Sequence, residues 1–235
     1  MNNKRCLKFI KTALLVWLAG LFVFTPQVFA RHMDKSGISG PHKPLYKTTA
    51  AVPNTQLRVH KVGQIQMSVT NYGYFGSQLE NSSLFIDPET GTIAPSCQFP
   101  AGSDIEYLFQ GALWVGAIVD EDTLVSVGTD GWQHIQEMYP DSGQSGAIQK
   151  RSNRRTDPAY SEDAISVADY ISVYSDTLTD EQYVQPDPKD NRPHEPLNLK
   201  VIVKSYSWDY SYAEDFILYD FDLVNIGLKR LNKLW

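Results

Sequence analysis

The stretch from residue 106 to residue 132 constrains the fold most, because much of it is apolar on both faces when it is extended. Its sequence is EYLFQGALWVGAIVDEDTLVSVGTDGW. One face would carry Tyr107, Phe109, Leu113, Val115, Ala117 and Val119, and the other Leu108, Ala112, Trp114 and Ile118. A strand that is apolar on both faces is covered on both sides. The pattern predicts a central strand over residues 107–119 with Trp114 buried, then a polar turn at residues 120–123 and a returning strand.

The first 30 residues have the arrangement of a secretory signal peptide. A basic segment precedes an apolar run at residues 13–24, which is shorter than a membrane-spanning helix. Ala30 supplies the small residue that signal peptidase prefers. We predict cleavage after Ala30 and export, either secreted or to the cell surface, so that the membrane is contacted only before cleavage. An uncleaved N-terminal anchor is the alternative.

The charge balance excludes two classes of partner. The whole chain has 21 Lys and Arg residues and 27 Asp and Glu residues. Four basic and no acidic residues lie in residues 1–30, so cleavage leaves 17 bases against 27 acids, a formal charge of −10. A surface of this charge repels nucleic acids and anionic membranes. We therefore expect neither as a partner.

The rest of the chain divides into a leader and one domain. Residues 31–55 are polar and without periodicity, which predicts a flexible leader. Residues 56–235 are long enough to bury a core without disulfides. Cys97 is the only cysteine among them, and no histidine lies beside it in the sequence. We therefore expect a small buried thiol and not a nucleophile.

Alternating apolar residues predict further strands in the domain. An early strand is expected over residues 57–70 and a hairpin over residues 197–223. One helix is predicted at residues 166–176, where Ser166 and Asp169 have the spacing of a capping box. The predicted fold class is mainly β, an antiparallel β-sandwich with one short helix.

The strand expected at residues 216–226 is long and apolar, and the sequence offers only one partner for it. Residues 227–235 follow with exposed leucines and no turn back to the core. An unpaired apolar edge is a template for pairing with other chains. We predict that the domain at residues 56–235 is incomplete at its C-terminus, and that further chain normally covers this edge.

Three segments resemble a known group of proteins. They are PSCQFPAGSDIEYLFQGALWVGAIVDEDTLVSVGTDGW, YSEDAISVADYISVYSDT, and the strand ending Asn225-Ile226-Gly227. Together they resemble the N-terminal region of large exported β-sandwich proteins from Bacteroidetes-like bacteria, over about residues 57–227. Such proteins commonly end in fibronectin-type or sorting modules, and the family has no established activity. The resemblance implies an exported module whose partners are downstream domains of a longer chain or other surface proteins.

The best candidate site combines the aromatic residues Trp208, Tyr210 and Tyr212 with Asp220 and Asp222. Two carboxylates two residues apart on a strand share a face at about 6.5–7 Å, close to the separation of about 6.5–9.5 Å in inverting glycosidases. Glycosidase carboxylates flank the scissile bond from opposite sides, however, and a solvated acidic face explains the pattern without chemistry. The five residues are the predicted ligand-binding set, and no catalytic residue is predicted.

Calcium is the one cofactor that the sequence suggests. Asp120, Glu121 and Asp122 are adjacent in a turn, and Asp220 and Asp222 share a strand face, so either group could supply carboxylate oxygens. The sequence contains no zinc-hydrolase, nucleotide-binding or paired-cysteine motif. We predict no cofactor, with calcium as the alternative.

Two functions remain from different classes. The first is a non-catalytic exported β-sandwich module for surface attachment, ligand contact or scaffolding. The alternative is a carbohydrate-active module that binds or cleaves glycans through the aromatic and acidic face of residues 206–222. We predict the first function, and no enzyme activity.

Overall fold

The computed structural model describes residues 51–77, 85–131 and 135–235, and these residues are mainly β, as predicted. The predicted signal peptide and most of the predicted leader lie outside them. The described residues contain one turn of 3-10 helix, at Gly143–Gly146, and no helix long and apolar enough to cross a membrane. Their strands are β1 Leu57–His60, β2 Gln66–Thr70, β3 Tyr74–Gly76, β4 Cys97–Gln98, β5 Gln110–Ala112, β6 Trp114–Val119, β7 Asp122–Val127, β8 Tyr139–Pro140, β9 Gln149–Arg151, β10 Ala168–Ser175, β11 Leu199–Ser207, β12 Ile217–Asn225 and β13 Leu231–Asn232.

These strands form three antiparallel sheets. The first sheet has the order β1-β2-β3-β5, and β4 also pairs with β2. The second sheet has the order β12-β11-β10-β8, and β9 also pairs with β10. The third sheet has the order β13-β6-β7. The prediction that residues 227–235 do not turn back to the core is therefore wrong, because Leu231 of β13 pairs with Val119 of β6 and packs against the core. Strands β10, β11 and β12 are the longest in the described residues, so the second sheet is the largest of the three.

The first and third sheets pack against one face of the second sheet, and the core lies between them. The main cluster of buried side chains is Val115, Ala117, Val119, Met138, Tyr174, Leu197, Leu199, Val201 and Val203. Burial of each large apolar side chain stabilises a fold by about 1.5–3 kcal/mol. Against the first sheet, the ring of Tyr219 lies 5.4 Å from Phe75, and the Tyr170 hydroxyl donates to the Val59 carbonyl at 3.2 Å. These face-to-face contacts are consistent with the predicted β-sandwich.

The predicted strand at residues 57–70 is two strands, because the chain reverses between β1 and β2. Gly63, in the loop between them, has a φ of +150°, and a Cβ there would clash with the carbonyl oxygens of Trp208 and Glu214. The Gln64 N–H donates to the Glu214 carbonyl at 2.6 Å. Glycine is therefore required, because the loop lies directly against the connection between β11 and β12.

The predicted helix at residues 166–176 is wrong, because this segment is strand β10. Its buried side chains include Tyr170, Ser172 and Tyr174, and the residues between them are less buried, which is the period of a strand. Asp169 explains the misleading capping signal. Its carboxylate accepts hydrogen bonds from the backbone N–H groups of Ile165 and Ser166, at 2.8 Å each, and so closes a turn ahead of the strand. Pairing with β9 and β11 on either side then stabilises the extended backbone.

The predicted central strand at residues 107–119 divides between two sheets. Strand β5 belongs to the first sheet and β6 to the third, and the chain changes sheet at Leu113, whose N–H donates to the Gly73 carbonyl at 2.9 Å. One face of β6 is buried in the core, but Trp114 on the other face is 56% exposed. The prediction that Trp114 is buried is therefore wrong, although the Trp235 ring lies against Gly116 on that same face.

Candidate functional site

The aromatic part of the predicted ligand-binding set lies in the connection between β11 and β12. Trp208 is half-buried, and its ring centroid lies 6.3 Å from that of Tyr206 and 5.5 Å from that of Phe216. Tyr210 and Tyr212 stack on each other at 5.6 Å, and Tyr212 is 80% exposed. Trp208 therefore anchors the connection, whereas the two tyrosines present an aromatic surface to solvent.

The acidic part of the set lies on β12. Asp220 and Asp222 are exposed on the face of the second sheet that is turned away from the core, which we call the outer face. Lys204 of β11 contacts both carboxylates, with its Nζ 3.7 Å from Asp220 and 3.0 Å from Asp222. The strand from Ile217 to Asp222 spans about 17 Å. The structure brings the two acids together, but the aromatic residues lie at the end of the hairpin.

The suggested calcium ligands lie in the tight turn between β6 and β7. Asp122 already pairs with Val119, so the turn has two residues and not the predicted four. The Asp120 carboxylate lies 2.6 Å from the Lys229 Nζ, and Glu121 is exposed. Across residues 51–77, 85–131 and 135–235, no three His, Cys, Asp or Glu side chains converge on one point. The prediction of no cofactor, with calcium as its alternative, stays a prediction.

His60 is a fully buried histidine that the sequence did not single out. Its Nδ1 lies 2.8 Å from the Ser207 hydroxyl and its Nε2 lies 2.8 Å from the Ser205 hydroxyl, so one ring nitrogen donates and the other accepts. The ring also meets Tyr170 edge to face at 4.7 Å. Burial lowers the pKa of His60 to about 3, so the ring is neutral at physiological pH. It links the first sheet to the second.

Asp176 is a second buried polar residue, at the end of β10. Its carboxylate accepts hydrogen bonds from the Ser126 hydroxyl at 2.6 Å, the Leu197 N–H at 2.6 Å and the Leu199 N–H at 2.7 Å. Burial raises the pKa of Asp176, and these hydrogen bonds partly oppose that rise. Residues 177–198 form the proline-rich loop between β10 and β11. The Asp176 carboxylate links this loop to Ser126 of the third sheet and to the start of β11 in the second sheet.

His194 completes the polar contacts of this loop. Its Nδ1 lies 3.1 Å from the Glu137 carboxylate, and its Nε2 lies 2.7 Å from the backbone carbonyl of Asp176. Burial alone would lower the pKa of His194, but the hydrogen bond and charge of Glu137 outweigh it, and the pKa is raised. The hydroxyl of Ser126 bonds to Asp176 and not to His194, so these residues do not have the geometry of an activated serine nucleophile.

Cys97 is half-buried in β4. Its backbone N–H donates to the Glu106 carboxylate at 2.6 Å. Burial and the negative charge of Glu106 raise the pKa of the Cys97 thiol, so the thiol stays protonated at neutral pH. The position agrees with the predicted unreactive thiol, although the side chain is less buried than expected.

A shallow groove of about 170 Å³ lies beside the exposed Trp114. The indole Nε1 donates to the Thr129 carbonyl at 2.8 Å, which fixes the ring. Gln110 and Gly131 line the groove with the ring. None of the site residues predicted from the sequence lies in this groove.

Strand β12 is an edge strand. It pairs with β11 along its whole length and with no other strand in the described part of the chain. The Leu199 carbonyl accepts from Asp176 on the β10 side, whereas the Asn198 carbonyl accepts from Ile226 on the β12 side. Because backbone groups alternate in direction along an antiparallel strand, the even-numbered residues of β12 bond to β11. The residues whose N–H and C=O groups point to the open edge are Ile217, Tyr219, Phe221, Leu223 and Asn225.

The side chains along this open edge are partly apolar. On the outer face, Leu218 is 51% exposed and Val224 is 38% exposed, and they flank Asp220 and Asp222. On the face turned to the core, Leu223 is 37% exposed. The edge therefore combines directed backbone donors and acceptors with apolar surface that a further strand would bury.

The comparisons with known proteins add no relative. No protein-family model matches the chain, and neither a curated protein nor a solved structure matches it. The resemblance to exported bacterial proteins stays a prediction.

Proposed function

We propose that this chain is a non-catalytic exported β module that works by contact, in surface attachment, ligand contact or scaffolding. The observation that carries the proposal is the open edge of β12, along which alternate backbone groups are directed away from the sheet. Such an edge recruits an extended segment of another polypeptide through main-chain hydrogen bonds, a mode known as strand addition. The exposed apolar side chains beside these groups would add apolar burial to the contact.

The buried polar groups make hydrogen bonds within the fold, which supports a structural module more than an enzyme. His60 and Asp176 are two buried groups whose chemistry would suit catalysis, and their polar atoms bond to side chains and backbone of this chain. Both residues connect sheets, and neither is exposed to solvent. They hold together the sheets that present β12.

Export is part of the proposal. It rests on the order of basic, apolar and small residues in the first 30 positions and on the acidic charge of the remainder. A fold that closes its core without a disulfide is compatible with secretion, since about 200 residues bury enough apolar surface alone.

A matched pair of variants at Leu223 tests the contact function. Its N–H points to the open edge, so Leu223→Pro removes one edge donor while the bonds to β11 remain. Leu223→Ala removes the same side chain and keeps the donor. The full chain and both variants are panned against a phage library of nine-residue peptides, and bound peptides are located by hydrogen–deuterium exchange.

We expect peptides that bind the parent and Leu223→Ala and slow hydrogen–deuterium exchange along β12. Their binding to Leu223→Pro should be lost or strongly weakened. Peptides that bind the Leu223→Pro variant equally well, or that protect another part of the chain, would contradict it. A failure to retrieve any peptide from the library would contradict it as well.

The carbohydrate-active function remains the second candidate, because Tyr210 and Tyr212 form an exposed stacked pair of the kind that sugar rings pack against. A glycan array probed with the full chain and with Tyr212→Ala tests it. Glycan signal that is lost in Tyr212→Ala supports this function, and an array without signal contradicts it.

A further inference from the structure

We infer that the segment which β12 accepts is an extended stretch of another polypeptide that carries basic side chains at the two positions opposite Asp220 and Asp222. This inference rests on the proposed contact function and specifies the chemistry of the partner. It follows from three properties of the edge: the direction of its backbone groups, the charge of its outer face and the result of pairing it with itself.

The direction of the backbone groups decides which side chains a partner meets most closely. Tyr219, Phe221 and Leu223 direct their N–H and C=O groups outward, so they would form the hydrogen-bonded pairs with an added antiparallel strand. Asp220 and Asp222 would then occupy the pairs without hydrogen bonds. Opposite side chains approach most closely at such pairs, where the Cα atoms are only about 4.5 Å apart.

The charge at those two positions is acidic. Both Asp220 and Asp222 share the single lysine Lys204, so one negative charge is left over at neutral pH. A partner with lysine or arginine opposite the two aspartates would form cross-strand pairs of opposite charge, and acidic residues there would be repelled. Leu218 and Val224 flank the acids, so the partner residues next to its two basic positions on that face should be apolar.

A second copy of this strand does not meet these requirements. In a two-fold antiparallel pairing that uses all of β12, Phe221 lies on the symmetry axis. Each Asp220 is then opposite Asp222 of the second copy, and this happens twice. Like charges directly opposite each other destabilise a strand pair, and in a shifted register β12 has no lysine or arginine to place opposite the aspartates. The edge therefore favours a foreign basic strand over its own copy.

The face of β12 turned to the core sets the alternate positions of the partner. Tyr219 and Phe221 stack at 5.9 Å, and Leu223 beyond them is partly exposed. A partner strand would continue this apolar row, so its alternate residues should be β-branched or aromatic. The recognised segment therefore alternates between apolar residues on one face and a central basic pair on the other.

Two synthetic peptides test the inference with the full chain. The first has nine residues, with lysine at its fourth and sixth positions and valine or threonine elsewhere, and the second has glutamate in place of the two lysines. Affinity is measured by fluorescence anisotropy at low and at high salt. Binding at β12 is located by hydrogen–deuterium exchange, and light scattering reports the oligomeric state.

The lysine peptide should bind and protect β12, and it should bind about 2- to 30-fold more tightly than the glutamate peptide, since two cross-strand charge pairs differ. The variant Asp220→Lys/Asp222→Lys should reverse this preference. The control variant Glu121→Lys/Asp163→Lys changes the total charge equally at exposed sites outside β12, and it should keep the parent's preference.

The other outcomes separate the two proposals. Equal binding of both peptides at β12 would overturn the inference while the contact function stands. A dimer that protects β12 without added peptide would do the same, because the occupant would be a second copy. Peptide binding without protection of β12 would overturn both.

Discussion

His60 should make the fold sensitive to acid. The ring is buried and neutral, and its pKa is lowered to about 3, whereas an unfolded chain protonates histidine near pH 6.5. Below pH 6.5 the unfolded state therefore binds a proton that the folded state does not. Its contribution to stability is complete above that pH and falls as the pH is lowered towards 3.

The expected size follows from the width of this interval. Each pH unit well inside it corresponds to about 1.4 kcal/mol, and an unfolded histidine is already half-protonated at pH 6.5. The contribution of His60 should therefore fall by about 2 kcal/mol between pH 6.5 and pH 4.5. Carboxylates also titrate in this range, so the parent is compared with His60→Gln, which keeps a donor and an acceptor for Ser205 and Ser207 but does not titrate here.

Urea unfolding at pH 6.5, 5.5 and 4.5 measures this difference. The stability advantage of the parent over His60→Gln should shrink by about 2 kcal/mol across the series. His194→Gln is the control: the pKa of His194 is raised, so its contribution is lost only as the pH rises above 6.5 through the folded pKa, and the parent's advantage over this variant should not shrink from pH 6.5 to pH 4.5. An advantage over His60→Gln that is constant from pH 6.5 to pH 4.5 would refute the assignment of a neutral buried ring.

Three further substitutions test the packing. Asp176→Ala should cost about 3–5 kcal/mol, because the Ser126 hydroxyl and two backbone N–H groups lose their acceptor; thermal melts that place it within 1 kcal/mol of the parent would argue against this. Trp114→Ala should lower the free energy of unfolding in urea by only about 1–2 kcal/mol, since the ring is half exposed. A loss above about 3 kcal/mol would indicate that Trp114 is buried, as the sequence predicted. Val224→Pro should lower the free energy of unfolding by about 3 kcal/mol, because it removes a hydrogen bond to β11. Leu223→Pro should lower it by less than half of that in urea unfolding, because its N–H points to the open edge. Equal losses would show that the backbone directions are misassigned.

The strands of the second sheet were predictable where the sequence alternates cleanly. The hairpin expected at residues 197–223 is β11 and β12, and among the residues that the structure describes this last strand has only one partner, as predicted. The prediction succeeded because a strand with one face in the core keeps a period of two in its apolar residues.

Two errors have a common physical cause. Residues 166–176 contain a capping signal, and residues 107–119 are apolar on both faces, so local patterns favoured a helix and one central strand. In the structure, Asp169 uses its carboxylate to close a turn, and Leu113 marks a change of sheet. Both outcomes depend on partners distant in sequence, which a local pattern does not contain.

The buried polar groups were the hardest part to predict. His60 ends a short strand, and its partners Ser205 and Ser207 lie about 145 positions later in the chain. One signal was present in the sequence, because these serines occupy inward positions that continue the alternation of Val201 and Val203. An inward hydroxyl requires a buried partner, but nothing in the sequence indicates that the partner is His60.

Amide exchange along β12, measured residue by residue by NMR on the full chain, tests the central claim most directly. If β12 is an open edge, the N–H groups of Ile217, Tyr219, Phe221 and Leu223 exchange rapidly, whereas those of Leu218, Asp220, Asp222 and Val224 are protected by β11. The rapid set should become protected when the lysine peptide is added. Slow exchange at both sets in the free chain would show that the edge is already covered, and it would contradict the account.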